Sequence, residues 1–175
     1  MLLKLKRTPG IYLVGFMGCG KSTIGRALAD HVGWTFVDLD EEIERSQGLA
    51  ISAIFEQQSE AAFRAIESAK LREHVKQVDS GRPFVIALGG GAFLSQDNVN
   101  VLTRSGVTIW LDCPFEMVAR RVANQNHRPL ARDPRKFREL YESRRESYGR
   151  AEYHIDVTSD DAAVAVRDIM ALSLL

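Results

Sequence analysis

A short glycine-rich stretch near the N-terminus constrains this chain more than any other feature. Residues 15–22 read Gly-Phe-Met-Gly-Cys-Gly-Lys-Ser, which is a glycine, four free positions and then Gly-Lys-Ser. An apolar run at residues 11–14, typical of a buried strand, precedes it, and helical spacing follows at residues 23–29. Strand, glycine-rich turn and helix in that order predict a phosphate-binding loop, because glycines let backbone N–H groups turn inward towards an anion. A chance glycine-rich turn is the weaker alternative.

The residue types in this stretch predict how it would bind a nucleotide. Lys21 supplies a mobile ammonium group for the outer phosphates, and the hydroxyl of Ser22 can ligate the magnesium ion that accompanies them. Cys19 is either a redox-sensitive thiol or, as we favour, a small residue that fills the turn. We therefore expect ATP or GTP to bind at Gly18, Cys19, Gly20, Lys21, Ser22 and Thr23.

The bulk composition narrows the class of protein. The chain has 175 residues, which suits a single domain with its own core. Its 23 basic and 23 acidic residues balance, so we expect no nucleic-acid partner and no anionic membrane surface. The first residues lack the long apolar run of a signal peptide or membrane anchor, and two cysteines make no disulfide framework. We expect a cytoplasmic protein.

Strand-like and helix-like segments alternate along the whole chain, which predicts an α/β fold with a parallel sheet. The predicted strands are residues 11–14, 35–37, 84–88, 107–111 and 153–157. The predicted helices are residues 23–29, 41–46, 51–55, 60–78, 96–104, 114–123, 141–148 and 161–172. Functional residues of such a sheet gather at the carboxyl ends of its strands. The phosphate loop, residues 38–40 and residues 89–91 each follow a strand directly, so we expect them to meet at one edge.

Asp38 and Asp40 follow the second predicted strand. On an extended segment their side chains alternate, so one carboxylate would hold magnesium while the other faces a substrate hydroxyl and accepts its proton. Acids also favour the first turn of a helix, so both residues could simply start one. The spacing alone leaves the two interpretations even, and the nearby phosphate loop favours function.

Two further patterns indicate a substrate side. Arg64 and Glu67 lie three apart on a predicted helix, where the acid can orient the guanidinium group to grip a carboxylate, although an ordinary surface ion pair is favoured on spacing alone. The glycines at 89–91 predict a close approach of backbone and ligand, in preference to a loose turn.

A basic, proline-bearing segment at 124–134 could fold over ATP, with Arg128 reaching the transferred group. Arg144 could equally be solvated, and the histidines show no metal-ligand spacing.

These residues together resemble the shikimate kinase family. Gly-Cys-Gly-Lys-Ser-Thr-Ile-Gly resembles its phosphate loop, and Val-Asp-Leu-Asp at 37–40 resembles its paired-aspartate motif. Phe-Arg-Ala-Ile-Glu at 63–67 is similar to its Phe-Arg-x-x-Glu signature, residues 89–91 to its substrate-side glycines, and Arg-Pro-Leu at 128–130 to its lid. The resemblance covers nearly the whole chain, in the family's order.

The resemblance implies ATP-dependent phosphorylation of the 3-hydroxyl of shikimate, in the pathway to chorismate and aromatic amino acids. It implies one nucleoside-monophosphate-kinase-like domain over residues 1–175, a three-layer α/β/α structure with a five-stranded parallel sheet. Substrate-binding helices would span about 38–80 and a mobile lid about 122–134. The implied roles are magnesium binding by Ser22 and Asp38; phosphate binding by Lys21 and Arg128; adenine stacking by Arg121; and substrate binding by Asp40, Arg64, Gly90, Gly91 and Arg144.

The chain departs from the family pattern at a few positions. Ala131 follows Arg-Pro-Leu where the family has Leu, and the interval to Arg144 is short, which affects the lid and Arg144. Ser59 stands where the family often has glycine. Residues 158–160 include no basic side chain that could reach adenine, so the backbone would make that contact.

The competing hypotheses are a gluconate-type kinase and a nucleotide-binding module without catalysis. The absence of an exposed apolar stripe favours a monomer.

Overall fold

A single parallel sheet organises the molecule. The computed structural model describes residues 10–123 and 133–172, and within them five strands pair in the order β2-β3-β1-β4-β5, all parallel. The strands are β1 Gly10–Val14, β2 Thr35–Asp38, β3 Phe84–Ala87, β4 Val107–Asp112 and β5 Tyr153–Asp156. Every residue of β1, β3 and β4 is buried, as expected for central strands of a sheet covered on both faces. The predicted sheet is confirmed.

Helices cover both faces of this sheet, which confirms the three-layer architecture. They are α1 Lys21–Val32, α2 Leu39–Gln47, α3 Ile51–Gln57, α4 Glu60–Asp79, α5 Gln96–Ser105, α6 Phe115–Ala123, α7 Pro134–Tyr148 and α8 Ala162–Met170. The α1 helix packs with α8, and α4 with α5. A 3₁₀ turn at Ala92–Leu94, which the sequence did not predict, follows the triple glycine. None of the helices in the described part of the chain is long and apolar enough to cross a membrane.

The prediction that Asp38 and Asp40 alternate on an extended segment is wrong. β2 ends at Asp38, and α2 begins at Leu39, so Asp40 lies in the first turn of a helix. Asp38 is the N-cap, and its side chain accepts hydrogen bonds from the N–H groups of Asp40 and Glu41. The capping alternative is therefore correct for Asp38, which caps the helix, whereas Asp40 belongs to its first turn.

Most of the predicted lid, residues 122–134, lies outside the part of the chain that the structure describes. Val122 and Ala123 end α6, and Pro134 begins α7 behind an Asp133 N-cap. Residues 124–132, with Arg128 and His127, lie outside the described residues.

Ser59, which stands where the family often has glycine, has a local role. Its hydroxyl accepts a hydrogen bond from the N–H of Ala62 and caps α4.

Candidate active site

The phosphate loop joins β1 to α1 in a conformation that requires its glycines. Gly15, Gly18 and Gly20 have φ values of 147°, 78° and 97°, a region that side chains of L-residues rarely adopt. A Cβ atom at Gly15 would lie 2.7 Å from the carbonyl oxygen of Leu111, and one at Gly18 would lie 2.8 Å from Val122. The loop therefore passes too close to its neighbours for any larger residue at these two positions.

Lys21 and the start of α1 give this loop its positive charge. The Nζ of Lys21 donates to the carbonyl oxygens of Gly15 at 2.8 Å and Phe16 at 3.0 Å, which holds the ammonium over the loop. An ammonium group has three N–H donors, so one more remains available for a phosphate oxygen. Gly20 at the N-cap offers no side chain, and no first-turn residue of α1 is acidic, so the first N–H groups and the positive helix end remain for an anion.

Ser22 and Asp38 lie together beside the loop. The Ser22 hydroxyl donates to Oδ2 of Asp38, while Oδ1 of Asp38 accepts from the N–H of Asp40 at 3.1 Å. A hydroxyl and a carboxylate are the hard oxygen ligands that magnesium takes next to nucleotide phosphates. This donor set fits the ion that the sequence predicts here.

Asp40 carries the most perturbed carboxyl group of this edge. Burial disfavours its charged form and raises its pKa to about 6, and the negative charge of Glu67 acts in the same direction, against the opposing effect of Lys21. Its Oδ1 is buried and has no hydrogen-bond partner among residues 10–123 and 133–172. A carboxyl group with a pKa near neutrality and a free buried oxygen can accept a proton from a bound hydroxyl.

The predicted pair of Arg64 and Glu67 is confirmed. Nη1 of Arg64 donates to Oε2 of Glu67 at 2.8 Å, and the Glu67 side chain is 1% exposed, which rules out an ordinary surface pair. Burial raises the pKa of Glu67 more than the guanidinium group lowers it. Its second oxygen, Oε1, is buried and finds no partner within the described ranges. A buried acid thus fixes the orientation of a half-buried arginine.

The triple glycine connects these groups. A Cβ at Gly89 would lie 2.5 Å from Oδ1 of Asp40 and 2.9 Å from Oε1 of Glu67, and one at Gly91 would overlap the guanidinium group of Arg64. At both positions the close neighbour is a side chain of the protein itself. The predicted close approach of backbone and ligand stays a prediction.

Gly90 differs from its two neighbours. A Cβ there would meet ordinary contacts only, at 3.6 Å from the Tyr148 hydroxyl, 3.9 Å from the Met17 nitrogen and 4.0 Å from the Gly15 oxygen. Gly90 therefore faces the phosphate loop across a short gap, and the two halves of the site share one edge of the sheet as predicted.

The α7 helix supplies two groups to the same place. Nη1 of Arg144 is buried without a hydrogen-bond partner in the part of the chain that the structure describes. One turn later, the hydroxyl of Tyr148 donates to the carbonyl oxygen of Gly90 at 2.6 Å. No local pattern in the sequence indicates this role of Tyr148, because the contact joins residues 58 positions apart.

Arg121 is held beside the phosphate loop by an acid that the sequence pattern does not indicate. Its guanidinium group donates to the Gly18 carbonyl oxygen at 3.1 Å and to Oδ1 of Asp160 at 2.8 Å. Arg120 also pairs with Asp160, at 2.7 Å. Asp160, in the segment 158–160, thus supplies an anion that orients Arg121. Adenine stacking by Arg121 stays a prediction.

Comparisons with known proteins agree with this geometry. The family model described as shikimate kinase matches residues 17–172. A shikimate kinase of Persephonella marina is 37% identical over 161 residues, which cover 91% of this chain and 96% of that protein. The structure of a shikimate kinase from Acinetobacter baumannii in complex with shikimate aligns with a TM-score of 0.85 and 36% identity, over 93% of this chain and 91% of that one.

A gluconokinase structure, relevant to the competing gluconate-type kinase hypothesis, also aligns with this chain, but more weakly. A gluconokinase structure from Sinorhizobium meliloti aligns with a TM-score of 0.59 at 20% identity, over 94% of this chain and 91% of that one. This likeness extends to the fold alone.

Proposed function

The chain belongs to the shikimate kinase family, and we propose that it transfers the γ-phosphoryl group of ATP to the 3-hydroxyl of shikimate. One observation carries the proposal for this chain's own residues. Buried polar atoms without partners in the described residues, on Asp40, Glu67 and Arg144, lie on the substrate side of a phosphate loop. Buried polar groups are normally paired, so these atoms indicate a ligand that supplies the missing partners.

The substrate side matches a hydroxylated carboxylic acid. Arg64, preoriented by Glu67, and Arg144 would bind the carboxylate, because guanidinium groups hold carboxylates with paired hydrogen bonds. Asp40 would accept hydrogen bonds from ring hydroxyls, and the backbone N–H groups of Gly90 and Gly91 would donate further hydrogen bonds to the substrate. The Acinetobacter relative was solved with shikimate bound, which supports this choice of acceptor.

The phosphate side supplies charge stabilisation during transfer. The 3-hydroxyl oxygen forms a bond to the γ-phosphorus, its proton passes to Asp40, and the bond from the γ-phosphorus to the bridging oxygen breaks to release ADP. Lys21 and the loop N–H groups stabilise the charge on the phosphate oxygens. Magnesium, held by Ser22 and Asp38, would neutralise charge on the β- and γ-phosphates when bound.

The remaining expected roles belong to the same proposal. The loop N–H groups of Gly18, Cys19, Gly20 and Thr23 would bind phosphate, Arg121 would stack on adenine, and Arg128 would reach the transferred group. We propose that residues 1–175 act as one monomeric domain in the cytoplasm, where ATP is available, with a lid at about 122–134. Light scattering of the purified protein tests the monomer, since a dimer would double the measured mass.

A coupled assay tests the reaction. We expect ADP formation that depends on shikimate and on magnesium, and that Lys21→Ala and Asp40→Ala abolish it. The matched control is Lys76→Ala, an exposed lysine at the end of α4, which should leave the rate unchanged. Turnover of gluconate in place of shikimate would favour the gluconate-type kinase. Tight ATP binding without transfer to either acceptor would favour the non-catalytic module.

A further inference from the structure

The triple glycine needs an external restraint at one peptide. Glycine has no Cβ and populates a wide range of backbone conformations, so three in succession do not fix their own N–H directions. The first and last carbonyl groups are held by the chain that follows, since the N–H of Ala92 bonds to Gly89 at 3.1 Å and that of Leu94 to Gly91 at 3.2 Å. The carbonyl of Gly90, between them, is held by the Tyr148 hydroxyl at 2.6 Å.

Tyr148 is well placed to act as a fixed donor. It is 1% exposed, it ends α7, and its ring lies 6.2 Å from that of Trp110. Burial raises the pKa of Tyr148, so its hydroxyl stays protonated and donates. Just beyond the helix, Arg150 donates to the carbonyl oxygen of Phe93 at 2.6 Å. The end of α7 is thereby tied twice to the segment that begins with the triple glycine.

Holding the Gly90 carbonyl also fixes a neighbouring donor. The carbonyl of Gly90 and the N–H of Gly91 belong to one planar trans peptide group, so they point in opposite directions and turn together. The Tyr148 hydrogen bond on one side of this peptide therefore fixes the direction of the Gly91 N–H on the other. The guanidinium group of Arg64 lies directly over Gly91, so the oriented N–H stands beside the arginine proposed to bind the substrate carboxylate.

We propose that Tyr148 is a positioning residue for the acceptor substrate, which orients the Gly91 N–H through its hydrogen bond to the Gly90 carbonyl. The inference rests on the proposed function. Arg144 lies one turn before Tyr148 on α7, so one helix carries both a cation of the substrate side and the group that orients its backbone donor. Tyr148 itself does not contact the reacting atoms.

The test replaces the hydroxyl alone. Tyr148→Phe should raise the KM for shikimate about 5- to 20-fold, the effect of one misdirected hydrogen bond, and leave the KM for ATP within about twofold. A purely structural role would lower the Tm without this split. The control is Tyr12→Phe, which removes another buried hydroxyl, bonded to Ser105 at 2.7 Å and lying beside Gly10 at the other end of β1. It should change stability and neither KM.

A backbone measurement separates this inference from the proposed function. In ¹⁵N relaxation of the ligand-free protein, the Gly91 amide of Tyr148→Phe should fall from an order parameter of about 0.85 to below about 0.6, while Ala92 and Leu94 stay rigid. An unchanged Gly91 amide, or a KM for shikimate equal to that of the wild type, would overturn the positioning role. Wild-type protein without shikimate turnover would instead overturn the function, and the amide data would still decide the role of Tyr148.

Discussion

Replacing Asp40 by Asn should stabilise the ligand-free protein while it removes activity. The pKa of Asp40 is about 6 in the folded protein against an ordinary value of 3.8, a difference that corresponds to about 3 kcal/mol at 1.36 kcal/mol per unit. The folded state therefore binds the proton more tightly than the unfolded state. Well below pH 3.8, Asp40 is protonated in both states and does not destabilise the fold. The free-energy cost of ionising it in the folded state grows between about pH 4 and pH 6 and reaches its full value above that range.

Asparagine keeps the shape of the side chain and has no charge to desolvate. At pH 7.5 we expect Asp40→Asn to raise the free energy of unfolding by about 2–3 kcal/mol, and at pH 4 the gain should fall to about 0.5 kcal/mol. Activity should fall about 10²- to 10⁴-fold, the usual contribution of a general base.

Urea denaturation without ligands measures this gain at the two pH values. The control is Asp30→Asn, an exposed aspartate on α1, which should shift stability by no more than about 0.5 kcal/mol. A variant no more stable than the wild type at pH 7.5 would refute the reasoning. So would a gain of equal size at pH 4, because it would not come from the charge.

Three further substitutions test other parts of the site. Gly90→Ala should leave the Tm unchanged, because its Cβ meets contacts no closer than 3.6 Å, and should lower kcat/KM for shikimate at least about tenfold, because the methyl group enters the gap before the phosphate loop. Glu67→Gln should shift the acid limb of the kcat/KM profile to lower pH, since the Glu67 charge raises the pKa of Asp40; it should also raise the KM for shikimate. Ser22→Ala should raise the magnesium concentration at half-maximal rate several-fold, measured by titration, whereas an unchanged titration would remove Ser22 from the metal site.

The sequence predicted those parts of the site that depend on local spacing. The phosphate loop is contiguous, and the Arg64–Glu67 pair lies on one helical turn, so both have patterns that can be read directly. The bonds from Tyr148 to Gly90 and from Arg121 to Asp160 join residues 58 and 39 positions apart, and only the folded chain brings them together. Their partners therefore could not be predicted.

The error at Asp38 and Asp40 has a different cause. Both an extended segment and a capped helix start are compatible with Val-Asp-Leu-Asp, because acids favour helix N-termini as well as active sites. The hydrogen bonds from Asp40 and Glu41 to the Asp38 side chain decide for the cap. Asp38 also accepts from Ser22, so one carboxylate serves the helix with one oxygen and the proposed metal site with the other.

The distribution of unpaired buried atoms supports the proposed substrate site without reference to any relative. In the described ranges five buried side-chain atoms lack a hydrogen-bond partner, and three of them, on Asp40, Glu67 and Arg144, belong to the proposed substrate side. Each such atom destabilises the ligand-free fold by about 1–3 kcal/mol, so a concentration of them at one place needs a compensating partner. Two are carboxyl oxygens, which match hydroxyl donors, and the third is a guanidinium nitrogen, which matches a carboxylate. A ligand that satisfies all three carries both groups, as a hydroxylated carboxylic acid does, and it must reach them beside a loop shaped for phosphate.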